Sequence, residues 1–163
     1  MPHSRDEIDA TMQRYVAVRA AIDAGEGTWA DLAQFFTDDA VFVDPAWGRV
    51  EGIDEMRRTV FGDAMVGLED WKFPVDFYAI EGDLVVVKWT QVLPGRRPDG
   101  SPWRQSGVST LVYAGDGKFS YEEDLLNMVH VFEDMRASKC RVPDVAMPPA
   151  HPDRNFSRPG ADG

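Results

Sequence analysis

The 163-residue chain is 44% hydrophobic, enough to form one domain around a single core. Its formal net charge of -11 argues against nucleic acid or an anionic membrane as a partner, because phosphates would repel it. Cys140 is the single cysteine, which excludes an intramolecular disulfide and a cysteine-built zinc site. Of three histidines, His3 and His151 lie near the termini, so no multi-histidine metal site is expected.

The first ten residues lack the apolar core of a signal peptide, and no run reaches transmembrane length, so the expectation is a soluble cytoplasmic protein. Ser4 and Glu7 fit a capping box, after which Ile8, Met12, Tyr15, Val18 and Ile22 recur at helical spacing as far as Gly25. Tyr15 therefore sits on the buried stripe, where its hydroxyl needs a backbone carbonyl or a ligand as partner. Thr28 caps a shorter second helix with Trp29, Leu32, Ala33 and Phe36 on its apolar face.

A short strand, Ala40–Val43, then ends on Asp44. Pro45 removes a backbone donor and biases the residue before it towards an extended conformation. Asp44 is left at the strand end beside Trp47 and Gly48. It is either a turn aspartate bonded to its own backbone or a general base facing an apolar cavity. A third helix starts after Gly52, with Ile53, Met56 and Val60 inward.

Beyond Gly67 the period changes to two. Trp71, Phe73, Val75, Phe77 and Ala79 alternate with more polar neighbours as a half-buried strand. Leu84–Leu93 is apolar for most of its length and reads as a central strand. Pro94–Pro102 is a long exposed hairpin loop, Trp103–Tyr113 the next strand, and Lys118–Met128 the last. In that last strand Ser120, Glu122, Asp124 and Leu126 share one face, and Phe119, Tyr121, Glu123 and Leu125 the other. Asn127 to Met135 closes the domain as a short helix. The tail from Arg141 is proline-rich and is expected to be disordered or draped over the surface, giving a folded domain over 1–140 and a tail over 141–163. Helices followed by sequential antiparallel strands imply an α+β domain: a cone-shaped fold with helices on a curved sheet and a pocket at its mouth.

This order, together with MQRYVA, ADLAQFFTDDAVFVDPAWGRVEG and GKFSYEEDLLN, resembles the superfamily of nuclear transport factor 2, SnoaL-like polyketide cyclases, ketosteroid isomerase and limonene epoxide hydrolase. The resemblance implies roles. Tyr15 falls on the isomerase's oxyanion-donor tyrosine, Asp44 on its general base, and Asp124 on the aspartate of the cyclases. Three positions depart from the pattern. Ser109 stands where the isomerase carries its protonated aspartate, and Trp89 and Gln91 stand where the epoxide hydrolase needs an arginine and an aspartate, so epoxide hydrolysis is not expected.

The resulting expectation is a cofactor-independent enzyme with Asp44, Asp124 and Tyr15 catalytic. It would transfer protons next to a carbonyl of an apolar substrate, as an isomerase, cyclase or dehydratase. Trp47, Trp89, Gln91, Ser109, Glu122, Leu126, Asn127 and His130 are the candidate substrate-binding residues. Asn127 is otherwise a helix cap, and His130 a possible general-base partner of Asp124. The alternative is a non-catalytic binding or dimerisation module of the same fold, and the free sheet face suggests a homodimer.

Overall fold

A computed structural model describes residues 2–140 and 147–159. Helix α1 (Arg5–Asp23) begins where Ser4 Oγ accepts the Glu7 N–H at 3.2 Å. The reciprocal half of the capping box does not form. Glu7 instead accepts the Tyr113 hydroxyl at 2.7 Å, which ties the helix to the sheet. Ile8, Met12 and Tyr15 are buried on one stripe, as their spacing predicts. The second helix is a 3₁₀ segment, Trp29–Phe35, entered through a Thr28 N–H that donates to Asp31 Oδ2 at 2.9 Å.

Strand β1 (Phe36–Asp44) starts four residues before the predicted strand and ends at Asp44. It pairs with the short β2 (Gly48–Glu51), and α2 (Ile53–Thr59) follows with Met56 fully buried. Strands β3 (Val75–Glu81), β4 (Leu84–Arg96), β5 (Pro102–Gly115) and β6 (Lys118–Leu126) form a run of antiparallel neighbours. Helix α3 (Met128–Ser138) closes the fold. The hairpin between β4 and β5 is shorter than expected, because both strands extend into the Pro94–Pro102 segment.

The sheet order is β2-β1-β6-β5-β4-β3, antiparallel except where β1 meets β6 in parallel. The expected α+β architecture, helices on a curved open sheet, is therefore present. Its core lies between sheet and helices: Ile8, Met12, Leu32, Phe36, Val85, Leu111 and Phe119 belong to one cluster. Val41, Val43 and Tyr121 pack on the opposite face of the sheet.

Two bulges change the predicted alternation. Val75 pairs with Trp89 and Phe77 with Lys88, so Asp76 is an extra residue in β3. Trp71 and Phe73 are buried before it and Ile80 after it, while Phe77 is turned outward and 59% exposed. In β6, Phe119 pairs with Tyr113 but Tyr121 pairs with Val112, leaving Ser120 extra. Phe119 is consequently in the main core on the same side as Glu122, not with Tyr121. A bulge resets the two-residue period, which pattern reading alone assumes to be continuous.

The tail expectation falls partly on 141–146 and 160–163, outside the described residues. Residues 147–159 make specific contacts with the β1–β2 turn, β2 and β6. Arg49 Nη1 donates to the carbonyls of Asn155 (3.1 Å) and Ser157 (2.7 Å). The Tyr121 hydroxyl donates to Phe156 O at 2.9 Å, and Arg154 Nε donates to Pro45 O at 2.8 Å. Among the described residues, no helix is long and apolar enough to cross a membrane.

Candidate functional site

A cavity of about 350 Å³ opens between the sheet and the helices. Its walls are largely apolar, with Phe42, Phe61, Leu68, Trp71, Phe73 and Met135 among them. Tyr15, Asp44, Trp47, Trp89, Gln91, Glu122, Asp124 and Leu126, all singled out from the sequence, line it as well.

The sheet register brings the acids together. Parallel pairing sets Phe42 beside Glu122 and Val43 beside Glu123, so the ends of β1 and β6 present Asp44 and Asp124 to one space. Asp44 takes up both of its sequence readings. Its Oδ1 accepts the Ala46 N–H at 2.7 Å and the Trp47 N–H at 3.3 Å as a turn aspartate, and its side chain also faces the cavity. Burial pushes its proton affinity above its ordinary value, although the two backbone donors oppose this.

Asp124 pairs across to Ser109, whose hydroxyl donates to Asp124 Oδ1 and accepts the Trp89 indole N–H at 2.9 Å. Burial, opposed by that Ser109 bond and reinforced by the nearby Asp44 charge, pushes the Asp124 carboxyl up to about 6. Glu122 is 4% exposed, and burial together with the Asp124 charge pushes it well above the ordinary carboxyl range. Three carboxyl groups thus share a cavity in which full ionisation is disfavoured.

Tyr15 is 1% exposed, and burial pushes its hydroxyl upward, so it remains a neutral phenol. It accepts from Arg19 Nη1 at 3.4 Å and, among the described residues, donates to no protein acceptor. Its proton is therefore available to a ligand.

Three candidates lie elsewhere. Ser109 does not line the cavity; it is buried beneath Asp124 and orients that carboxyl. Asn127 caps α3, its Oδ1 accepting the Val129 N–H at 3.1 Å and the His130 N–H at 3.3 Å. His130 does not meet Asp124; its Nε2 lies 3.3 Å from Asp134, one helical turn along. Asp134 also receives Gln105 Nε2 at 2.7 Å, and Gln91 donates to Gln105 Oε1 at 2.9 Å, so Gln91 is partly committed to docking α3.

Sequence reading passed over Arg19. It lines the cavity four residues from Tyr15, and the available signal was an arginine on an otherwise apolar helical stripe.

A cone of helices over an open sheet, holding acids and a phenol in an apolar hollow, defines a class of small α+β pocket domains. The model of the SnoaL-like domain matches residues 8–122, and the chain belongs to that family. It is similar in structure to a candidate SnoaL-like polyketide cyclase from Jannaschia sp. CCS1 (TM-score 0.62, 18% identity, 84% of this chain and 98% of that one). AclR of Streptomyces galilaeus, a candidate hydroxylase, superposes with a TM-score of 0.59 at 20% identity over 85% of this chain and 100% of its own. A candidate ketosteroid isomerase from Kribbella flavida DSM 17836 gives 0.53 at 18% identity, over 75% of this chain and 78% of that one. No curated protein matches the chain.

Proposed function

We propose that the chain is a cofactor-independent enzyme that moves a proton at the carbon next to a carbonyl of a largely apolar small molecule, in an isomerisation, cyclisation or dehydration. The observation that carries this reading is the convergence of Asp44, Glu122, Asp124 and the Tyr15 hydroxyl on one apolar cavity. Asp124, with its carboxyl pushed up to about 6, is ionised at neutral pH yet strongly basic for a carboxylate. It takes the α-proton. Electrons from that C–H bond move onto the carbonyl oxygen, and the Tyr15 O–H donates to the enolate oxygen that develops. Asp44 shuttles the proton, and Glu122, held neutral, donates a hydrogen bond. Return of the proton to another carbon isomerises the substrate; alternatively, attack of the enolate carbon on a second carbonyl closes a ring, the C=O π electrons becoming an alkoxide that takes the proton back from Asp124.

Polyketide-cyclase and ketosteroid-isomerase neighbours support this chemistry at the level of the fold. TerC, another neighbour at TM-score 0.59 and 18% identity, was co-crystallised with polyporic acid, which supports small-molecule binding as the use of the hollow. The outer sheet face exposes Phe77, Val86 and Leu125, which supports pairing of two chains. Light scattering then returns twice the chain mass.

The test is carbon acidity. Steroid enones and polyketide-like diketones that raise the melting point are incubated in D2O, and deuterium entry at the α-carbon is followed by NMR. Asp44→Asn and Asp124→Asn should each slow the exchange about 10²–10⁴-fold without loss of fold. Wild-type exchange in both variants overturns the reading in favour of a binding module.

A further inference from the structure

Among the described residues lining the cavity, Arg19 is the only cation, and the proton-transfer scheme gives it no task. It is 6% exposed. Nη2 donates to Phe73 O at 2.9 Å, Nη1 reaches the Tyr15 hydroxyl at a long 3.4 Å, and Nε has no partner. Among the described residues, no carboxylate lies within ion-pair distance. A guanidinium offers five N–H donors and stays protonated, so this one is buried with most of its hydrogen-bonding capacity unanswered.

Its surroundings favour the charge without pairing it. The rings of Trp29, Tyr15 and Trp89 have their centroids 5.3, 5.9 and 6.0 Å from Cζ, so three π faces surround the guanidinium. Burial disfavours its charge, but Tyr15, Glu122 and Asp124 more than offset this and hold the proton above its ordinary affinity. A buried cation that has aromatic walls but no counter-ion is incomplete as a structural clamp, since an ion pair or further acceptors are needed to offset its desolvation.

We propose that Arg19, with the Tyr15 hydroxyl beside it, recognises an anionic oxygen of the ligand, so that the cavity takes apolar acids (carboxylates, phenolates or enolised dicarbonyls) in preference to neutral molecules of the same shape. This rests on the reading of the cavity as a ligand site and deepens it by naming the substrate class. The acidic oxygen sits at the Arg19–Tyr15 end, while the carboxyls on β1 and β6 address the remainder of the molecule.

Two probes of equal shape, 2-naphthoate and 2-naphthamide, separate charge recognition from apolar burial. Neither has an α C–H to exchange, so the outcome is independent of the deuterium experiment. Titration calorimetry on the full chain at neutral pH should show wild type preferring the naphthoate by roughly tenfold or more. Arg19→Gln should lose that preference while its naphthamide affinity stays within about threefold, and Arg19→Lys, which keeps the charge but not the fork, should retain part of it. The proposal is overturned if wild type favours the amide, if it binds neither probe, or if Arg19→Gln keeps the preference. Should Arg19→Gln fail to fold, the wild-type pair and Arg19→Lys decide: equal binding of both probes by wild type, or an undiminished naphthoate preference in Arg19→Lys, overturns it.

Discussion

Glu122 is a buried acid with its proton held on by its surroundings, and that has a thermodynamic signature. Its folded-state proton affinity is raised above the ordinary value by burial and by the Asp124 charge. The native state therefore binds this proton more tightly than the unfolded chain, and stability falls as pH rises from the ordinary carboxyl range towards the raised value. Glutamine cannot ionise, so Glu122→Gln should gain stability over wild type as pH climbs from about 4 to 8. The gain should widen as pH rises and read out at about 2–4 °C in Tm per kcal/mol. Thermal denaturation at both ends of that range checks it, and a constant offset between the two proteins would show that Glu122 is not a strained acid. Asp124 should set the kinetic counterpart. With its carboxyl pushed up to about 6, α-proton exchange should fall about tenfold per pH unit below that value as the base is protonated, a limb absent from the residual rate of Asp124→Asn.

Among the elements, the β4–β5 pair shapes the cavity wall through an absent side chain. Trp89 faces Gly107 across the ladder, and a Cβ on Gly107 would lie 2.4 Å from three atoms of the indole ring. Gly107→Ala must displace that ring, which also carries the N–H donated to Ser109. The expected outcome is a loss of about 1–3 kcal/mol in denaturant unfolding, together with weaker binding of any cavity ligand. At this scale the sequence was partly legible. Helical spacing placed Tyr15 on the buried stripe, and the Asp44-Pro45 step marked the end of β1. Alternation put Glu122, Asp124 and Leu126 on one face, and all three line the cavity. The same rule misplaced Phe119 and Phe77, because a bulged residue leaves no mark in a period-two pattern when its neighbours are also apolar or half-buried. His130 and Arg19 were missed for another reason. Their helical neighbours Asp134 and Tyr15 lie four residues away and can be counted, but that His130 misses Asp124 and that Arg19 faces the cavity depend on tertiary distances.

For the molecule as a whole, the described part of the tail braces the cavity mouth. Arg154 holds the Pro45 carbonyl in the turn that positions Asp44, and Tyr121 holds Phe156 on the outer sheet face. Deleting residues 141–163 should leave the sheet folded but speed hydrogen exchange at the Ala46 and Trp47 amides roughly tenfold. Unchanged protection there would mean that the tail merely lies on the surface. The parallel β1–β6 contact has a wider consequence. Asp44 and Asp124 meet only because the first strand docks against the last, while the exposed loop at 98–100 divides the chain between them. A single cut in that loop would put Asp44 and Asp124 on different pieces, and the return of proton exchange on mixing would report that the two halves had found each other.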